Sequence, residues 1–133
     1  LFFLASDGNS FHEETREIGG GATTTEEAKR TLAELVNGPK GGGLAPTVPR
    51  DAQLLNLFID SSGTAYVDFN RRLRDRLPGG AQEELYTVFS IVNTLASNFV
   101  QITRVQILVE GAEISTLAGH VDTRMALSPQ YVF

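Results

Sequence analysis

Few side chains in this sequence are equipped for chemistry, and their spacing does not assemble them into a known catalytic set. Histidine occurs twice, at His12 and His120. A metal or acid–base role requires the two to converge in space, and nothing in their separation promises it, so both are read as surface or hydrogen-bonded structural residues. Ser and Thr are plentiful, but none sits in a Gly-x-Ser-x-Gly elbow, and any triad would have to recruit one of these two histidines. Paired carboxylates are the other route to hydrolysis. Asp60 and Asp68 fall on neighbouring predicted strands, and Glu110 and Glu113 flank a predicted turn. Acids are common at such places, so they are read as structural unless a cleft brings two together. Gly41-Gly42-Gly43 lacks a following Lys-Ser/Thr, and Gly19-Gly20-Gly21 lacks the spacing of a dinucleotide loop. One locally basic feature stands out: Arg71, Arg72, Arg74 and Arg76, with only Asp75 among them. It is the best surface candidate for a charged partner, against the plainer reading of a solvated segment whose Leu73 and Leu77 tuck inward.

Composition narrows the classes further. The 133 residues include no Cys, no Trp and one Met, with 16 acidic and 11 basic side chains and a net charge of −5. The length predicts one domain, residues 1–133, that buries roughly two thirds of its unfolded surface without staples. Absence of Cys excludes zinc fingers, iron–sulfur clusters, thiol catalysis and disulfide frameworks. The acidic balance argues against a nucleic-acid partner, which requires a concentrated basic field. No cofactor is expected. The chain opens on Leu1 and its only Met is Met125, so an upstream segment is expected to have been removed. Leu1 to Ala5 is too short to span a membrane and reads as a buried first strand.

The elements that must position these residues follow from periodicity. Ser6 to Ser10 is a turn, and Phe11 to Ile18 returns as an antiparallel edge strand marked by its charges. Thr24 and Glu27 form a predicted capping box. Ala28, Leu32, Leu35 and Val36 share a face, and Asn37-Gly38-Pro39 stops a helix running from about 25 to 37. Residues 38–49 are too broken by Gly and Pro for an element. Strands are predicted over 53–60 and 64–70, joined by Ser61-Ser62-Gly63. A second helix over 81–98 carries the stripe Leu85, Val88, Phe89, Val92, Leu95, Ala96 and Phe99 and is expected to supply most of the core. Residues 102–110 form a central strand, and 113–133 a weaker strand with an irregular tail. This order predicts an α+β two-layer sandwich: a mixed sheet of five to six strands with two helices on one face, its inner part a split βαβ arrangement.

Six blocks stand in a recognisable order: Ala28 to Pro39, Val48 to Ala52, Ala65 to Asn70, Glu84-Leu85 through Ile91 to Leu95, Val105 to Gly111, and Leu117 to Asp122. Together they resemble the GerMN domain of sporulation and spore-germination proteins, over about Leu1 to Met125. The resemblance implies an extracytoplasmic domain, tethered to the membrane through an N-terminal lipid or helix that is missing here, and a fold similar to ring-building motifs. It implies no catalytic residues. Asp68, Asn93, Thr94 and Gly111 match family motif positions, each with a structural reading: a strand-end acid, polar helix groups beside a sheet, and a hairpin turn. A single copy and the missing anchor depart from the family's tandem, anchored arrangement.

The function expected on this basis is a non-enzymatic interaction domain of the cell envelope, whose sheet edge or arginine segment engages a protein partner. The alternative is a module for cell-wall glycan, peptidoglycan. That alternative requires an exposed aromatic at Phe11, Phe58 or Tyr66.

Overall fold

The computed structural model describes residues 1–5, 11–14, 23–40, 44–75, 81–117 and 121–131. Among the described residues ten elements follow one another: β1 (Phe2–Ala5), β2 (Phe11–Glu13), α1 (Thr24–Asn37), β3 (Leu44–Ala45), β4 (Leu54–Ile59), β5 (Thr64–Phe69), α2 (Arg72–Asp75), α3 (Ala81–Asn98), β6 (Arg104–Val109) and β7 (Ala112–Glu113). The fold is α+β with a mixed, open sheet, as the element order predicts.

The strands divide between two sheets. The larger has the order β4-β5-β6-β7, with β5 and β6 parallel across the α3 crossover and the other pairs antiparallel. The smaller, β2-β1-β3, is antiparallel, with β2 at its edge. Among the described residues the strands of this mixed α+β fold are shared between a sheet of four and a sheet of three. Among the described residues the leading strands pair with each other and with β3, inside the segment read as a loop, and only the β5-α3-β6 half of the split motif is realised in the larger sheet.

Alternation along the strands decides the two faces. Leu57, Ala65, Val67, Phe69, Val105, Ile107 and Val109 are buried, and α1 packs over β4 while α3 packs over β6. The opposite face carries Phe58, Tyr66, Asp68 and Gln106. Helix α1 begins one residue before the expected position: Thr23, not Thr24, is the N-cap, and its hydroxyl accepts the Glu26 amide at 3.1 Å. Ser or Thr satisfies this role equally well, and a run of three threonines offers no local signal to choose among them. The helix ends at Gly38, whose φ of 91° is the left-handed conformation that glycine adopts without strain.

Helix α3 departs most from the sequence reading. Besides Val88, Phe89, Val92 and Leu95, it buries Glu84, Tyr86, Thr87, Ser90, Ile91, Asn93 and Thr94. A helix buried all round must be enclosed, and α3 lies against α1, β1 and β6 while its side chains bond the chain on the remaining side. The Thr87 hydroxyl donates to the Thr47 carbonyl. The Glu84 carboxylate accepts the Val121 amide at 2.9 Å. Among the described residues no buried side-chain nitrogen or oxygen lacks a hydrogen-bond partner.

The segment 114–131 is held by the same strategy. Gln106 donates to the Thr123 carbonyl, the Thr123 hydroxyl donates to Ile114, and Val105 and Leu127 exchange two backbone bonds. Arg124 grips Asp122 through Nε at 3.1 Å and Nη2 at 2.9 Å and through its backbone amide. These bonds hold the Asp122 carboxyl down at about 2. Its folded value lies below its ordinary 3.8, so this contact contributes above that pH and is lost as pH falls toward about 2. Side-chain carboxyl shifts followed by NMR should show the low midpoint, and Arg124→Ala should return it toward 3.8.

Candidate functional site

Two of the four motif positions and three of the four candidate arginines meet at one end of the larger sheet. Asp68, near the end of β5, accepts the Gly111 amide on Oδ1 at 2.8 Å. This ties β5 to the β6–β7 connection. That connection has two residues, Glu110 with φ 51° and Gly111 with φ 78°. Positive φ at both central positions is the requirement of a type I′ turn, which matches strand twist. Gly111 adopts it freely, whereas a non-glycine residue there costs on the order of 1–2 kcal/mol. Glu110 is held there by two bonds: its amide donates to Phe69 at 2.8 Å, and its Oε2 accepts the Arg71 amide at 2.9 Å.

Arg71 thereby starts the turn that presents the basic segment. Asn70 fixes its entry, donating its amide to the Gln53 carbonyl and accepting the Gln53 amide on Oδ1 at 3.1 Å. The chain then winds into α2, a single turn closed by bonds to Asn70 and Arg71. Leu73 is fully buried and anchors it. Arg71, Arg72 and Arg74 are exposed around this anchor, with Arg74 Nε 3.7 Å from Asp75. The inward Leu73 and outward arginines agree with the sequence reading, and the helical turn is new. Arg76 and Leu77 lie outside the described residues.

The other two motif positions lie elsewhere. Asn93 is fully buried on α3 and makes two bonds with Gln130, donating from Nδ2 at 2.7 Å and accepting on Oδ1 at 2.9 Å. Its partner is therefore the segment after β7 rather than the sheet. Thr94 is also fully buried, and its carbonyl accepts Asn98 Nδ2 at 2.6 Å.

Neither carboxylate pair assembles. Asp60 caps the β4–β5 turn, accepting Ser62 N at 2.9 Å, Ser62 Oγ at 2.7 Å and Thr64 N at 3.0 Å on one oxygen. Asp68 stands toward the far end of the same hairpin, opposite Asn56. Glu110 binds Arg71 while Glu113 pairs along β6. Among the described residues no group of three His, Asp or Glu could hold a metal, and His120 lies outside them. His12 is described by its backbone, paired with Phe3 in the smaller sheet.

The sheet edge is partly closed. Asp60 donating to Thr64 sets the ladder so that Leu57 points its amide outward. That amide is taken by Asn56 Oδ1 at 2.9 Å, and the register shifts between Leu54 and Asn56. A blocked donor beside a bulge discourages strand addition.

The structure thus defines an α+β domain whose motif residues tie turns and segments together, with an arginine-bearing turn at one sheet end. The chain belongs to the Germane family, described as sporulation and spore germination, whose profile matches residues 1–115. Solved structures share the fold. The first GerMN domain of the sporulation protein GerM from Bacillus subtilis superposes with a TM-score of 0.78 at 22% identity, covering 96% of this chain and 94% of that one. The tandem GerMN domains of the same protein give 0.70 at 19% identity, with 96% of this chain covering 44% of the pair. A candidate lipoprotein from Clostridium perfringens gives 0.72 at 20% identity, over 96% of this chain and 84% of that one. No curated protein matches the sequence.

Proposed function

We propose that the chain is a non-catalytic, extracytoplasmic interaction domain of the bacterial envelope that docks an acidic protein partner through Arg71, Arg72 and Arg74. The observation that carries this reading is the presentation of three exposed guanidinium groups on one turn of an acidic chain, fixed by Glu110, Asn70 and Leu73. Holding the backbone in place lowers the ordering cost of binding, and planar guanidinium forks match carboxylates two bonds at a time. The envelope setting is supported by the lipoprotein among the solved structures that share the fold. No helix among the described residues is long and apolar enough to cross a membrane.

Cross-linking in native envelope membranes tests this reading. A specific protein adduct should form with the wild type, weaken with salt, and disappear in the Arg71→Ala/Arg72→Ala/Arg74→Ala variant, which retains Leu73 and the fold. An adduct of equal yield from the triple variant, or none from the wild type, refutes the assignment.

A further inference from the structure

Phe58 lies on the face of the larger sheet turned away from the helices, and it is 60% exposed. Its cross-strand partner is Tyr66, which in turn aligns with Gln106. The Phe58 and Tyr66 rings have centroids 6.2 Å apart and planes inclined by 35°. The pair is held from one side: the Tyr66 hydroxyl donates to Asp60 Oδ2 at 3.3 Å, and Asp60 is itself fixed by three bonds from Ser62 and Thr64. Those bonds, led by the Ser62 hydroxyl, hold the Asp60 carboxyl below its ordinary value and keep it charged. By contrast, Phe11 is half-buried and packs edge-to-face on Tyr86 at 4.9 Å, a core contact unavailable to a ligand.

The surroundings of the pair decide what it suits. On the same face, one step along the strands, stand Asn56, Asp68 and Arg104. Burial, first, and then the Asp60 carboxylate raise the Tyr66 hydroxyl above its ordinary pKa, with Glu113 adding to the rise and Arg104 opposing it. The core of a protein interface is depleted of charge, whereas here two rings are ringed by an amide, carboxylates and a guanidinium. A pyranose has complementary needs. Its axial C–H face lies on the negative face of an aromatic ring, and its hydroxyl and acetamido groups bond planar polar side chains at the rim. The carboxylates of Asp60, Asp68 and Glu113 disfavour a charged group on the stacked ring itself, so a neutral or N-acetylated sugar unit fits the charge.

We propose that Phe58 and Tyr66 form a stacking platform for an uncharged N-acetylhexosamine unit of a polysaccharide, with Asn56, Asp68 and Arg104 at its rim. The platform is separate from the arginine turn and does not depend on the protein-partner reading.

The test uses co-sedimentation with purified peptidoglycan sacculi and calorimetric titration with a soluble N-acetylglucosamine tetramer. The wild type should bind both probes. Phe58→Ala should reduce binding about fivefold to tenfold, the worth of one aromatic contact, and Phe58→Trp should restore it. Phe58 is exposed, so an unchanged melting temperature is expected for both variants. The Arg71→Ala/Arg72→Ala/Arg74→Ala variant should bind like the wild type. Failure of the wild type to bind either probe, equal binding by Phe58→Ala, failure of Phe58→Trp to restore it, or loss of binding in the arginine variant would each overturn the assignment. Absence of a protein adduct from the wild type, or an equal adduct from the triple variant, refutes the docking role alone and leaves the platform standing.

Discussion

Leu73→Ala is expected to destabilise the protein by about 2–5 kcal/mol, the range for truncating a fully buried leucine, and to lower the melting temperature by roughly ten degrees for a chain of this size. The side chain has no exposed surface and is the apolar anchor of a single helical turn. One turn of helix has no stability of its own, since nucleation is costly and few bonds are gained. Without Leu73 the turn depends on the Glu110–Arg71 bond, the Asn70–Gln53 pair at its entry and its own backbone bonds. Thermal unfolding gives the stability change, and hydrogen exchange should show the amides of Leu73, Arg74 and Asp75 losing protection beyond the global change. The arginine substitutions of the docking test should leave both observables near the wild type. This contrast separates the anchor of the surface from the surface itself.

The second large effect is expected at Asn93. Asn93→Ala removes both bonds to Gln130 and leaves a small cavity beneath the terminal segment, at a cost of about 2–3 kcal/mol. Much of that loss should be local. Gln130 is exposed and recovers water as a partner, so the amides of Leu127 and Gln130 should exchange much faster than those of β5 and β6. Asn93→Asp should be at least as harmful, because a carboxylate cannot donate to the Gln130 carbonyl and would bring a charge into a fully buried position. Uniform loss of protection across the chain in either variant would show that Asn93 stabilises the whole domain rather than fastening this segment.

The motif residues take on a physical meaning from these contacts. Asp68 and Gly111 are 43 positions apart and share one hydrogen bond; Asn93 and Gln130 are 37 apart and share two. Each joins a regular element to a connection or segment with little secondary structure of its own. Chain lacking a ladder must satisfy its amides and carbonyls through side chains, and these polar residues do so at the β6–β7 turn and in the terminal segment.

The α+β class, the span of α3, the hairpin around Ser61-Ser62-Gly63, the inward Leu73 and the arginine segment could all be read from the sequence. They depend on periodicity, capping and turn chemistry over a few residues, and those local preferences agree with the final fold. The N-cap was displaced by one residue because adjacent threonines are equivalent as caps. The division into two sheets, the pairing of β3 with β1, the burial of α3 on every side, and the partners of Glu84, Asn93 and Glu110 could not be read. They depend on contacts between residues far apart in the chain, and buried polar residues on α3 look from sequence like a solvated helix face. The Glu110-Gly111 pair between two strands was the one local signal for a two-residue turn, but the carboxylate's bond to Arg71 needed the β5 and β6 ends to be adjacent. In the same way the sequence determined that Phe58 and Leu57 face opposite sides of β4. Only the tertiary structure decided which side the helices cover, and so left Phe58 in solvent beside Tyr66.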